Sequence, residues 1–200
     1  MHELAWVFIA LFLGTLPFPV WTGRIFLRTD IRKYGDGAPG ATNVARAGGR
    51  WLYIMACLLD AFKAAIPVWL AQIVSGVSGW WLTAVAIAPV LGHAFTPFLK
   101  GRGGMGVAAT FGVWLGLLGL LGPIMIGIGV GLMFGIQKNW VWTSIGGMMI
   151  FLILLIAFQF PIYLAITNLG HVLIMAIRRY SYFNKWPELQ PWLANFGRKS

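Results

Sequence analysis

Apolar residues come in long runs along this chain, with polar residues gathered into a few short stretches between them. Residues 4–24, 51–74 and 79–98 form three such runs, each near the ~20 residues that cross a bilayer as a helix. A polar stretch over 26–50 follows the first run, and a glycine-rich one over 100–106 follows the third. Two shorter runs, 107–121 and 123–136, predict a pair of helices with a turn at Leu121, Gly122 and Pro123. Gln137, Lys138 and Asn139 then break the pattern. Residues 140–177 run too long for one span at ~1.5 Å per residue, so a break is expected at Pro161 or Asn168. The pattern predicts an all-α polytopic membrane protein of about seven transmembrane helices, forming a single integral membrane domain over residues 1–200.

Composition sharpens this. The chain is 59% hydrophobic and 10% charged, with mean hydropathy +0.79. A soluble fold of this size leaves too much surface in water to hide that much apolar area. The formal charge of +10 would raise nucleic acid as a partner, but the charges sit in a few loops. That distribution points to membrane topology and to anionic small molecules or lipids, with no nucleic acid partner.

The first apolar run precedes the first cluster of positive charge, and Met1, His2 and Glu3 supply no basic leader. The run is therefore expected to stay in the membrane with its N-terminus outside. Seven crossings then put Arg24, Arg28, Arg32, Lys33, Arg46 and Arg50 on the cytoplasmic side. With them fall Lys100, Arg102, Lys138, and a C-terminal tail holding Arg178, Arg179, Lys185, Arg198 and Lys199. The opposite turns, 72–79 and 119–123, carry no charge. Such a chain is expected in an inner-type (plasma) membrane. Residues 180–200, with Trp186, Pro187, Pro191 and Trp192, read as an interfacial cytoplasmic tail. Glycines 112, 116 and 119, and again 127, 131 and 135, recur at the spacing that lets helices pack closely. Cys57 lies inside an apolar run, so no disulfide framework is expected. The pattern sets no oligomeric state.

Three places invite chemistry. The first loop carries Gly35, Gly37 and Gly40, whose backbone N–H groups can turn toward a ligand. Arg32, Lys33 and Arg46 add charge there, and Thr42 and Asn43 add hydrogen bonds, which makes a phosphate cradle. The second loop runs Lys100, Gly101, Arg102, Gly103, Gly104, Met105, Gly106 after Gly92, His93 and Pro97. Its formal G-x-G-x-x-G lacks the strand of a dinucleotide site, but a glycine nest opening a helix still favours anions. The third is Asp60 with Lys63 inside the second run, on one helix face at i,i+3. A charge within a span costs at least ~2.5 kcal/mol, so such residues pair or face a polar cavity. His93 and His171 are candidate acid–base groups or hydrogen-bonded structural histidines. No zinc-ligand cluster, G-x-S-x-G or H-E-x-x-H occurs, so neither metal nor cofactor is expected.

Taken in order, these segments resemble the bacterial acyl-phosphate-dependent glycerol-3-phosphate acyltransferases, the PlsY family. Gly14-Thr-Leu-Pro-Phe18 is similar to the family's G-S-x-P-F. Asp30-Ile-Arg32, then Gly40-Ala-Thr-Asn43 and Arg46, resemble its first cytoplasmic loop. Asp60-x-x-Lys63 with Pro67, then Gly92-His93 through Pro97 and Phe98 to Gly106, resemble its next two signatures. The likeness is clearest over 14–112.

The resemblance implies a seven-helix fold with its active site at the cytoplasmic face. It implies transfer of a fatty acyl group from acyl phosphate to the 1-hydroxyl of glycerol 3-phosphate, giving lysophosphatidic acid for phospholipid synthesis. The partners are then acyl phosphate, glycerol 3-phosphate and membrane lipids. On this reading the candidate catalytic residues are Asp36, Arg46, Lys100 and His93, with Asp36 as general base toward the acceptor hydroxyl. Gly35, Gly37, Gly40, Thr42, Asn43, Lys63, Arg102, Gly103, Gly104 and Gly106 are the candidate phosphate-binding set, and Asp60 is the charge partner of Lys63.

Several positions depart from the family: Ala38 stands where it has asparagine and Ala64 where it has glycine, and its late R-H-x-x-N and G-T-E elements are not recognisable around residues 178–188. Asp36 stands where it has serine, and Met105 where it has the second lysine of K-G-G-K-G; together they make the pocket more negative. Two other readings keep part of this picture: a catalytically altered paralogue that binds lipid precursors, and a small transporter.

Overall fold

Proline decides where the first apolar run bends. Pro17 has no N–H to continue a helix, and the run divides into α1 (His2–Thr15) and α2 (Phe18–Phe26). The computed structural model describes residues 2–184 and 187–194. In it follow α3 (Ala41–Gly48), α4 (Arg50–Ile73), α5 (Gly79–Ala94), α6 (Val107–Leu118) and α7 (Leu121–Ile136). The chain then continues through α8 (Trp140–Ala157), α9 (Ile162–Arg178) and α10 (Pro191–Ala194). Among the described residues there is no named strand, only an isolated antiparallel bridge between Gln137 and Leu189.

Among the described residues, four helices are long and apolar enough to cross a membrane: His2–Phe26 (α1 with α2), Arg50–Ile73, Gly79–Leu99 and Trp140–Ala157. Three shorter apolar helices, α6, α7 and α9, complete the bundle. The break within 140–177 falls at Pro161, the N-cap of α9, and Asn168 lies buried inside that helix. The turn expected at residues 121–123 comes earlier, at Gly119 and Leu120, because Pro123 is tolerated within the first turn of α7.

Close helix contacts follow from absent side chains. A Cβ on Gly14 would strike the backbone of Pro89, and one on Gly92 the carbonyl of Leu11, so α1 and α5 meet backbone to backbone. Gly112 and Gly116 do the same for α6 against Ala61 and Ala65 of α4. The second expected stripe does not pack: Gly127, Gly131 and Gly135 face open space, as does Gly119. Gly129 makes the contact instead, meeting Gly147 of α8. The spacing of four was present, but on the wrong face of α7.

Polar bonds lock α9. Asn168 Nδ2 donates to Met148 O of α8 at 2.9 Å, and Thr167 Oγ1 to Thr83 Oγ1 of α5 at 3.2 Å. His171 is fully buried, with Nε2 at 3.2 Å from Ala86 O and its ring edge-on to Trp114. Its ring is held within the main bundle and does not line the cleft between the glycine loops. The described part of the tail docks on the end of α7, where Trp192 Nε1 donates to Gly135 O at 3.1 Å. Lys185, Trp186, Arg198 and Lys199 lie outside the described residues.

A small second core sits beneath the loops. Val20, Ile31, Ala41, Val44, Ala56 and Leu99 cluster there, apart from the main core. It joins α2, α3 and α4 to the turn that opens the second glycine loop. Both loops therefore rest on one apolar footing.

Candidate active site

The kink at Pro17 turns two carbonyls out of their helix. Leu16 O accepts from Lys63 Nζ at 2.6 Å, and Thr15 O accepts from Thr96 Oγ1 at 2.5 Å. This is how irregular backbone survives inside an apolar bundle: side chains of neighbouring helices satisfy it. Gly92, by letting α5 close on α1, sets His93 beneath the same kink.

Lys63 is 6% exposed and Asp60 2%. As their spacing predicts, they pair, with Nζ at 2.7 Å from Asp60 Oδ1, a charge contact rather than an aligned hydrogen bond. Lys63 Nζ also lies 3.0 Å from His93 Nδ1, and Asp60 Oδ1 lies 3.7 Å from that nitrogen. An ammonium has three donors and no acceptor, so in its contact with His93 Nδ1 it is Lys63 that donates, as it does to Leu16 O. That fixes the histidine. If Nδ1 accepts from Lys63, the neutral ring carries its proton on Nε2. Nε2 faces Gly104, where a Cβ would overlap it. A narrow cleft opens here, lined by Lys63, His93, Thr96, Pro39 of the first loop, and Gly103 and Gly104 of the second.

The first loop begins with Asp30, which accepts from Arg32 N at 3.0 Å and Arg32 Nη2 at 2.6 Å. These bonds to Arg32 outweigh partial burial and hold its carboxyl at about 2. Gly35 has φ +58, and a side chain there would collide with the Arg46 guanidinium and Asn43 Oδ1. Asn43 is 1% exposed and receives Arg46 Nη1 on Oδ1 at 2.9 Å. Asp36 is the centre of the cluster. It accepts from Asn43 Nδ2 at 3.0 Å, Ala38 N at 3.2 Å and Arg179 Nη2 at 2.9 Å, with Arg46 Nη1 at 3.8 Å. Burial raises its pKa, but Ala38, Arg179 and Asn43 outweigh this and leave it below the ordinary carboxylate value. A carboxylate so engaged is poorly suited to taking a proton at neutral pH.

Thr42 is exposed on α3, and Gly40 caps that helix with open space around it. Gly37 has φ +71. In the second loop Gly103 N donates to Ala94 O at 3.1 Å, and Gly106, with φ +89, caps α6. Lys100 and Arg102 are exposed and do not line the cleft. Met105 is 8% exposed and belongs to the main apolar core. A lysine there would enter that core rather than add charge to the cleft.

Sequence reading missed the end of α9. Arg178 Nη2 donates to Gly103 O at 2.7 Å and Nη1 to Gly101 O at 3.5 Å, with its guanidinium 5.6 Å from the Phe95 ring. Its neighbour Arg179 holds Asp36. Two consecutive arginines thus reach one into each glycine loop. Their adjacency at the end of an apolar run was the available signal, read only as positive charge.

Comparison with known proteins places the chain in a family. The family model described as glycerol-3-phosphate acyltransferase matches residues 4–185. A glycerol-3-phosphate acyltransferase of Anaeromyxobacter dehalogenans is 43% identical over 118 residues, covering 54% of this chain and 59% of the relative. One from Desulfovibrio desulfuricans is 41% identical over 117 residues, covering 58% and 52% respectively. The chain thus spans between about half and three-fifths of the length of the curated relatives it matches. The crystal structure of PlsY (YgiH), an integral membrane glycerol 3-phosphate acyltransferase, in its glycerol 3-phosphate form superposes with a TM-score of 0.82. The match covers 99% of this chain and 100% of that one at 24% identity, and so speaks for the fold. Its lysophosphatidic acid form matches with a TM-score of 0.80 at 25% identity, over 92% and 91% of the two chains.

Proposed function

This chain belongs to the glycerol-3-phosphate acyltransferase family, and on that premise we propose that it transfers a fatty acyl group from acyl phosphate to the 1-hydroxyl of glycerol 3-phosphate. The hydroxyl oxygen bonds to the acyl carbonyl carbon, the carbon–oxygen bond to phosphate breaks, and the products are lysophosphatidic acid and inorganic phosphate. The hydroxyl proton leaves on the departing phosphate. The reaction takes place at the cytoplasmic face of a bacterial plasma membrane, with seven crossings, the N-terminus outside, and the acyl chain along apolar helix faces.

The observation that carries this reading is the meeting of both glycine loops at one cleft floored by Lys63 and His93. Acyl phosphate is already an activated anhydride, so the protein's work is to bring two anions together and to stabilise charge on the transferring group. Arg46, Thr42, Asn43 and the first loop take one phosphate; Lys100, Arg102 and the second loop take the other. His93 offers its Nε2–H to an oxygen of the reacting group. Lys63 and Asp60 are positioning residues that hold His93 in this tautomer. Asp36 serves the first loop as an ion-pair partner rather than as a base.

Purified protein in phospholipid nanodiscs, given acyl phosphate and glycerol 3-phosphate, is expected to release lysophosphatidic acid and phosphate in equal amounts. Acyl-CoA in place of acyl phosphate is expected to give none. Product from acyl-CoA alone, or from neither donor, would reject the proposal.

A further inference from the structure

The Asp36 carboxylate is surrounded as a phosphate would be. Three donors face it, the Ala38 N–H, Asn43 Nδ2 and the Arg179 guanidinium, at 3.2, 3.0 and 2.9 Å, with the Arg46 guanidinium 3.8 Å away. The Arg46 and Arg179 guanidiniums bring two positive charges to this one carboxylate. The donors come from three separate stretches of chain, the turn at Gly35 and Gly37, helix α3, and the end of α9. Such a constellation also suits a tetrahedral dianion, which offers the guanidiniums and the backbone N–H more oxygens and more charge than one carboxylate does. The Arg46 side chain is 50% exposed and Asp36's 34%, so the carboxylate can swing out without unpacking the loop.

We propose that Asp36 is an internal anion occupying a phosphate seat made by Asn43, Arg46 and Arg179, and that a ligand phosphate binds there by displacing it. This rests on the acyl-transfer reading only in naming the ligand's class, an organic or inorganic phosphate. Arg179 becomes a phosphate-binding residue that no sequence motif marked. Arg178, bound to the second loop's carbonyls, is its positioning neighbour. Displacing Asp36 changes what Arg179 holds, and the residue next to it holds Gly103 at the cleft. Occupancy of the first loop is thereby coupled to the geometry of the second.

The test compares signs. Binding of inorganic phosphate to the full chain in detergent micelles is measured by calorimetry for wild type, Asp36→Asn, Asp36→Ser, Arg179→Gln and Arg179→Lys. An internal anion predicts that both Asp36 variants bind about tenfold more tightly, the scale of removing one nearby repelling charge. It predicts that Arg179→Gln binds more weakly and that Arg179→Lys recovers part of the loss. If Asp36 is instead only a structural partner, its variants and Arg179→Gln weaken binding together. That result, unfolding of both Asp36 variants, or the absence of phosphate binding throughout, overturns the inference. Opposite signs with no acyl transfer by the wild type would uphold the seat and reject the enzymatic reading. Like signs with acyl transfer intact would do the reverse.

Discussion

Lys63 shows how much one side chain can organise. Its spacing from Asp60 was legible, since i,i+3 residues share a helix face. Its other two partners were not, because the Leu16 carbonyl is freed only by the bend at Pro17, and His93 arrives from another helix. Asp60→Asn alone leaves the buried ammonium uncompensated and is expected to cost about 3–5 kcal/mol in reversible unfolding. The pair Asp60→Asn with Lys63→Met is expected to cost less than either single change, and a double-mutant cycle in denaturant titration checks this. His93→Phe removes the Nε2 donor and is expected to lower kcat by about 10²-fold, while His93→Gln keeps a donor and recovers part of it. Met105→Lys, which charge counting alone would favour, is expected to lower the melting temperature, because it puts an ammonium among the main-core residues. Asp30 titrates with a known sign. Its carboxyl is held at about 2, below the unfolded value of ~3.9, so its contribution is present above that value and lost as pH falls toward 2. Its side chain is partly open to solvent, which screens the pair, so it contributes under about 1 kcal/mol, and Asp30→Asn is expected to flatten the acid limb of the unfolding curve only slightly.

Elements were read with uneven success, for physical reasons. Spans bounded by proline, glycine or a polar triplet were placed well, as at Pro161 and at the break between α7 and α8. The kink between α1 and α2 was hidden in an uninterrupted apolar run, because hydropathy does not register a missing N–H. Glycine spacing predicted a packing face but not which one: the open Gly131 and the buried Gly129 lie two residues apart on α7. These two types should respond in opposite ways. Gly131→Ala meets open space and is expected to be neutral or stabilising by up to about 1 kcal/mol, from helix propensity. Gly112→Val, aimed at the Ala61 backbone, is expected to destabilise by about 1–3 kcal/mol or more. Thermal melts in one detergent distinguish them. Pro17→Ala, which lets the helix run through and reclaim the Leu16 carbonyl, is expected to weaken acyl transfer by loosening Lys63 and hence His93.

At the scale of the whole molecule, the two basic, glycine-rich loops belong to one place although separated by two long helices. Hydropathy and charge asymmetry put them on one side; what brings them together is the small apolar core of Val20, Ile31, Val44 and Leu99, and the arginine pair ending α9. Those long-range ties left little trace in the sequence, since Arg179 meets Asp36 across a separation of 143 positions. The candidate phosphate residues were named in advance, but their division was not. Lys63 and His93 lie inward at the cleft floor, Asp36, Asn43 and Arg46 form an ion-paired cluster beside it, and Lys100 and Arg102 stay at the surface. On the function proposed above, both loops serve one phosphate-handling site. Hydrogen–deuterium exchange of the wild-type protein, with and without lysophosphatidic acid and inorganic phosphate supplied together at a fixed ratio so that both phosphates are present, tests it most directly. Amides over 35–46 and over 100–106 are expected to gain protection together, with a single dependence on ligand concentration. Protection of only one loop, or of the two at different concentrations, would contradict it.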